Sequence, residues 1–93
     1  MNNIEVLEIN FNNIKNDYKN HNVDLYVAKI ELETIIKKLT KIKNEKIQSG
    51  SYNSDVVEII FYAKKLLEEV EHDISIQERE ETLRRNMQEE FNV

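Results

Sequence analysis

Apolar residues recur at alternating three- and four-residue spacings along the first half of the chain. The series holds this spacing for more than five heptads and has one polar member, His21. Its members are Ile4, Leu7, Phe11, Ile14, Tyr18, His21, Leu25, Ala28, Leu32, Ile35, Leu39 and Ile42. Such a seam is typical of helices that pack along one side. Residues 1–48 are therefore predicted to be helical.

The polar member of the seam marks a place where the first helix could be interrupted. His21 lies between Asn20 and Asn22, and asparagine has low helix propensity in a helix interior. Asn22 can cap a new helix. The unbroken seam favours one continuous helix, whereas the asparagines favour a first helix ending near Lys19 and a second beginning near Val23. The sequence leaves both arrangements open.

A turn is predicted at mid-chain, from Ser49 to Ser54, around the single glycine. Gly50 can take the left-handed conformation that ends many helices, and Asn53, Ser54 or Asp55 can cap the next helix. A chain of two long helical halves joined by this turn would be an antiparallel hairpin. We predict one all-α domain over residues 1–93, either this hairpin or, if the chain breaks at Asn20–Asn22, a three-helix bundle.

The second half, residues 55–91, has its own apolar stripe. Its members are Val56, Ile60, Ala63, Leu67, Val70 and Ile74. After Ile74 the apolar residues Ile76, Leu83 and Met87 lie on a different face, because successive residues are about 100° apart around a helix. A new helix or a kink at Ser75 would explain this change, as would a straight tail that meets another chain.

The helix after Asn22 has more apolar surface than one neighbouring helix can cover. Val23, Val27 and Ile30 lie opposite the seam, and Tyr26 lies between the two sets. A helix that is apolar nearly all round should be buried on more than one face. Either a three-helix bundle or another protein chain would cover it. The residues predicted to contact a partner are Val23, Tyr26, Val27, Ile30, Tyr52, Leu83 and Met87.

Composition and charge exclude several classes of protein. The 93 residues include one glycine and no proline, which disfavours turn-rich β folds. They include no cysteine, which excludes disulfides. Eighteen acidic and thirteen basic residues give a net charge of −5, which disfavours a nucleic-acid partner. Five lysines between Lys37 and Lys46 form a basic run that is typical of a solvated helix end, with a nucleic-acid patch as the alternative.

The sequence contains no pattern typical of an active site. It has no glycine-rich phosphate loop and no H-E-x-x-H motif. Glu68 and His72 share a helix face at i,i+4 spacing, but a metal site in a helical bundle needs further ligands from other helices. We therefore expect no enzymatic activity, no metal and no cofactor.

The layout of residues 10–91 resembles that of the WXG100-like small proteins and the helical companions of type VII secretion toxins. Ser49-Gly50 stands at the turn without the tryptophan of the W-x-G motif, and Tyr62 is followed four positions later by Leu66 instead of an acidic residue. The resemblance implies a toxin companion exported by a non-classical route. Otherwise the lack of an apolar span or signal-peptide pattern predicts a cytoplasmic protein that does not enter membranes.

The function predicted from these patterns is binding of another protein. We expect a small non-enzymatic helical adaptor, chaperone or inhibitor that acts through an exposed apolar helix face. The alternatives are the toxin companion, a homodimeric four-helix structural unit, and a nucleic-acid binder that uses the lysine run. The many asparagine, isoleucine and lysine residues are typical of AT-rich bacterial or phage genes, which include small inhibitors of host proteins.

Overall fold

A computed structural model of the chain contains three α-helices, and it describes residues 3–48, 50 and 54–91. Helix α1 spans Asn3–Lys19, α2 spans Leu25–Gln48 and α3 spans Ser54–Phe91. Helix α2 is antiparallel to both of its neighbours. The prediction of an all-α fold is confirmed, and the chain takes the three-helix arrangement with a break at Asn20–Asn22.

The first helix ends because the chain enters the left-handed region at His21, which has a φ of 58°. The His21 amide donates to the Tyr18 carbonyl at 3.1 Å, and the Asn22 amide donates to the Asp17 carbonyl at 2.8 Å. These two bonds form a Schellman motif, which satisfies carbonyls that the end of a helix leaves without partners. The polar residue in the seam is therefore the point at which the chain reverses.

Asp24 caps α2, and the prediction that Asn22 would cap it is wrong. The Asp24 Oδ1 accepts hydrogen bonds from the amides of Tyr26 at 2.9 Å and Val27 at 3.2 Å. Asn22 lies instead in the end of the preceding helix, where its amide donates to the Asp17 carbonyl. Helix α2 consequently begins two residues later than the predicted Val23.

All three helices contribute to one hydrophobic core. The buried residues are Leu7, Phe11, Ile14, Ala28, Leu32, Ile35, Leu39, Val56, Ile59, Ile60, Ala63, Leu66, Val70 and Ile74. Those from α1 and α2 all belong to the predicted seam, while Ile4, Tyr18, Leu25 and Ile42 of the same seam are half-buried against the core. The seam continues across the break because both helices direct it towards the same interior.

Helix α3 is longer than the helices that pack on it. Ile74 is its last buried residue, and every residue from 75 to 88 is exposed. The helix continues without interruption through Ser75, so no new helix begins there. We call residues 75–91 the C-terminal arm; at 1.5 Å per residue the arm is about 25 Å long.

Two tyrosines connect the turn between α1 and α2 to the region of α3 where the arm begins. The Tyr18 hydroxyl donates to Asp73 Oδ2, and the Tyr26 hydroxyl donates to Glu78 Oε1 at 2.9 Å. The hydrogen bond to Asp73, together with partial burial and the nearby carboxylates, raises the pKa of Tyr18 to about 12. The phenol is the donor of this hydrogen bond at neutral pH, which lies well below its pKa.

The turn between α2 and α3 lies mostly outside the described residues. Gly50 has a φ of 82°, which is the left-handed conformation predicted for it. Tyr52 and Asn53 lie outside the described residues, so the partner contact predicted for Tyr52 and the cap considered at Asn53 are not placed. Among the described helices, none combines the length and the hydropathy that a membrane-spanning segment requires.

Replacing His21 with glycine should stabilise the protein by about 0.5–1 kcal/mol, because glycine adopts the left-handed conformation without the steric cost of a Cβ. The gain is limited because glycine also loosens the unfolded chain. Urea unfolding followed by circular dichroism measures it. The control is Asn20→Gly, at a position without positive φ, which should lower stability. A lower midpoint for His21→Gly than for the wild type would contradict this account of the turn.

The bond between Tyr18 and Asp73 should contribute stability that disappears at high pH. The pKa of Tyr18 rises from 10.0 to about 12 on folding, so its contribution is complete below pH 10 and is lost between pH 10 and 12. The measurement compares the free energies of unfolding of wild type and Tyr18→Phe across this range. Lysine titration affects both proteins, so their difference isolates Tyr18. A difference that does not change with pH would contradict the prediction.

Candidate interaction surfaces

The solvent-facing side of α2 carries a group of exposed apolar residues near its N-terminus. Tyr26, Val27 and Ile30 are 43%, 47% and 62% exposed. Ala28 and Leu32 on the other side of the helix are fully buried. The bundle therefore covers the seam of α2 and leaves its second apolar side in contact with solvent. We call Tyr26, Val27 and Ile30 the α2 apolar face.

Local hydrogen bonds hold the α2 apolar face in place. Asp24 caps the two amides that begin the face, and the Tyr26 hydroxyl is bonded to Glu78 of α3. The bond to Glu78, followed by desolvation, raises the pKa of Tyr26. A surface fixed in this way loses little conformational entropy when a partner binds.

Lysines continue the same side of α2 beyond the apolar face. Lys37, Lys38 and Lys41 are exposed and surround a shallow depression together with Thr34 and Asn44. The other lysines of the basic run, at positions 43 and 46, are half-buried and lie on a different side of the helix. The solvent-facing side of α2 thus changes from apolar to mainly basic along its length, and Glu45 also lies beside the depression.

A groove between α1 and α2 lies beside this surface. Its walls include Asn10 and Asn13 of α1 and Ile30, Thr34 and Lys38 of α2, and its floor is apolar. At its other end it passes between Val6 of α1 and Lys41 of α2. A segment bound to the α2 apolar face can therefore also contact α1 along the groove.

Helix α3 exposes a second aromatic group that the sequence-based selection of contact residues missed. Phe61 and Tyr62 are 58% and 50% exposed, and their rings meet edge to face with centroids 5.4 Å apart. The Lys65 Nζ lies 5.8 Å from the centre of the Phe61 ring. Tyr62 and Lys65 also line a groove between α1 and α3. The position of Phe61 off the main apolar stripe was the signal that could have identified it.

The predicted contact residues that the structure describes lie in two separate places. Val23 is half-buried against the core beside the α2 apolar face, so less of its surface is available to a partner. Leu83 and Met87 are each 57% exposed, but they lie on the C-terminal arm and not on α2. The bond between Tyr26 and Glu78 brings the start of the arm next to the start of α2.

The residues that the structure describes hold no metal-binding cluster of side chains. Among these residues, no group of three or more histidine, aspartate or glutamate side chains is close enough to hold a metal ion. Glu68 and His72 are both exposed on α3, and His21 is exposed in the turn. What the described surface offers chemically is apolar contact area, bordered by lysines on α2 and by mixed charges on the arm.

Comparisons with protein-family models, with curated proteins and with solved structures find no match to this chain.

Proposed function

We propose that the protein is a small non-enzymatic binding module whose α2 apolar face docks on another protein. The observation that carries the proposal is that Tyr26, Val27 and Ile30 remain about half-exposed although the three-helix bundle has closed around its core. Internal packing was the alternative explanation for these residues, and the third helix leaves them in contact with solvent. Covering their remaining surface would contribute several kcal/mol at about 25 cal/mol per Å² of apolar area.

The arrangement of charges on α2 favours a partner segment that is apolar at one end and acidic at the other. Lys37, Lys38 and Lys41 follow the apolar face along the same side of the helix. These lysines make this part of the surface positive, although the protein as a whole carries a net charge of −5. Carboxylates on the partner would meet these lysines and fix the direction in which it lies, as complementary charges do at interfaces. An amphipathic helix with acidic residues at one end fits this surface.

This proposal places the protein among adaptors, chaperones and inhibitors. It does not rest on the resemblance to WXG100-like proteins, because the break at His21 replaces the two long arms of that layout with three helices. Nucleic-acid binding through the lysines is the alternative, but it would leave the α2 apolar face without a role. The two possibilities require different residues, so substitutions on α2 can separate them.

Substitution of Val27 or Ile30 with glutamate should abolish partner binding without unfolding the protein. Both side chains are exposed, so the free energy of unfolding should change by less than about 1 kcal/mol. A buried carboxylate at the interface should weaken binding at least about a hundredfold. The measurement is quantitative pull-down and calorimetry with partners recovered from host extract.

The matched control is Asn12→Glu, which adds the same charge at an exposed position on α1 and should bind like the wild type. Partners that bind Val27→Glu and Ile30→Glu as tightly as the wild type would refute docking through α2. Loss of helicity in Val27→Glu would assign Val27 to the core instead.

The double variant Lys37→Glu/Lys41→Glu should slow association about tenfold and weaken its dependence on salt, because these lysines attract the acidic end of the partner. Stopped-flow association rates at low and moderate salt measure this. If the protein instead binds nucleic acid, duplex DNA will bind the wild type and Val27→Glu equally at low salt and will not bind the lysine variant. That result would replace the proposal.

A further inference from the structure

We propose that the C-terminal arm pairs in antiparallel orientation with the arm of a second copy of this chain. Every residue of the arm from 75 to 88 is exposed, and the contact recorded between this stretch and the other helices is the hydrogen bond from Tyr26 to Glu78. Ile76, Leu83 and Met87 lie on one stripe along it and are 39%, 57% and 57% exposed. This surface is separate from the α2 apolar face, and the pairing does not depend on the function proposed for that face.

The stripe has the spacing of a short coiled-coil seam. Positions 76, 80, 83 and 87 follow one another at intervals of four, three and four residues, and Glu80 is the charged member. In an antiparallel pair, the register that places Ile76 opposite Met87 of the second copy also places Glu80 opposite Leu83 of the second copy. Two-fold symmetry repeats both layers, which gives four layers in all.

The charges beside the seam select the antiparallel orientation. In the register described, Glu80 lies next to Arg84 of the second copy, and symmetry forms this ion pair twice. A parallel pair in register would instead place the two Glu80 carboxylates in one layer. It would also bring Arg79 beside Arg84 of the second copy, because flanking positions five residues apart meet in parallel coiled coils. Like charges in both places oppose the parallel arrangement.

The bundle leaves this side of the arm accessible. Helix α2 reaches the arm through Tyr26, which bonds to Glu78. Glu78 is two residues from Ile76 and therefore lies about 200° around the helix, nearly opposite the stripe. Helix α1 makes its last hydrogen bond to α3 at Asp73, before the paired residues begin. The second arm can occupy the stripe while α1 and α2 stay in place.

The pairing should be weak and reversible in the wild type. The paired residues, 76–87, extend over about 18 Å, and two of the four layers contain a glutamate. An interface of this size falls below the range of stable complexes, and we expect a dissociation constant on the order of 100 µM. Glu80 therefore sets both the orientation and the low affinity of the pair.

Cysteine cross-linking tests the orientation, because the chain has no cysteine of its own. The Ile76→Cys and Met87→Cys proteins are mixed in equal amounts and oxidised at about 1 mM. The main product should be the mixed disulfide that joins position 76 of one copy to position 87 of the other. Each variant alone should cross-link poorly. A majority of 76-to-76 and 87-to-87 products would establish parallel pairing and overturn the proposal.

Sedimentation equilibrium tests the contribution of charge. Arg84→Glu should weaken the dimer about tenfold or more, because it turns two ion pairs into repulsions. Arg85→Glu makes the same charge change away from the seam and should leave the dimer as stable as the wild type. Glu80→Leu should tighten the dimer at least about tenfold by completing the apolar seam.

Three results would each overturn the proposal. The first is a wild type that is monomeric at about 1 mM. The others are equal effects of Arg84→Glu and Arg85→Glu on the dimer, and a Glu80→Leu dimer that is no tighter than the wild type. Val27→Glu should dimerise like the wild type. Loss of dimer in that variant would assign self-association to the α2 apolar face and also reject pairing through the arm.

Discussion

The reversal of the chain at His21 is the constraint on which the rest of the structure depends. The left-handed conformation there, with its two closing hydrogen bonds, ends α1 and lets Asp24 cap α2 immediately afterwards. Because the turn is so short, α1 must fold back along α2 and cover part of the core. Without this reversal the two halves of the chain would form the long two-helix hairpin that the sequence also allowed.

The reversal also determines which apolar surfaces remain uncovered. Helix α1 packs in the angle between α2 and α3 and stops at the level of Asp73, where Tyr18 anchors it. It contacts the seam side of α2, so the opposite side keeps Val27 and Ile30 in solvent. It also ends before the C-terminal arm, so α3 projects beyond the bundle. The uncovered α2 apolar face and the projecting arm are therefore both consequences of where α1 packs and where it ends.

The candidate surface on α2 was largely predictable, whereas on α3 periodicity could identify Phe61 but not its neighbour Tyr62. Tyr26, Val27 and Ile30 stand at positions opposite a long seam, and helical periodicity is enough to place them there. The aromatic group on α3 includes Tyr62, whose exposure depends on how closely α1 approaches α3 along their groove. That distance results from packing of side chains distant in sequence, which periodicity along one helix does not encode.

The sequence by itself determined three features: the helical class of the chain, the position of the mid-chain turn and the residues of the core seam. These features follow from local helix propensity and from the periodicity of apolar residues. Only the tertiary structure decided between one long first helix and two. The seam continues in phase through His21 in either case, so its spacing carries no information about a reversal there. The choice depends on the burial that α1 gains by folding against α2 and α3, which is a contact between distant parts of the chain.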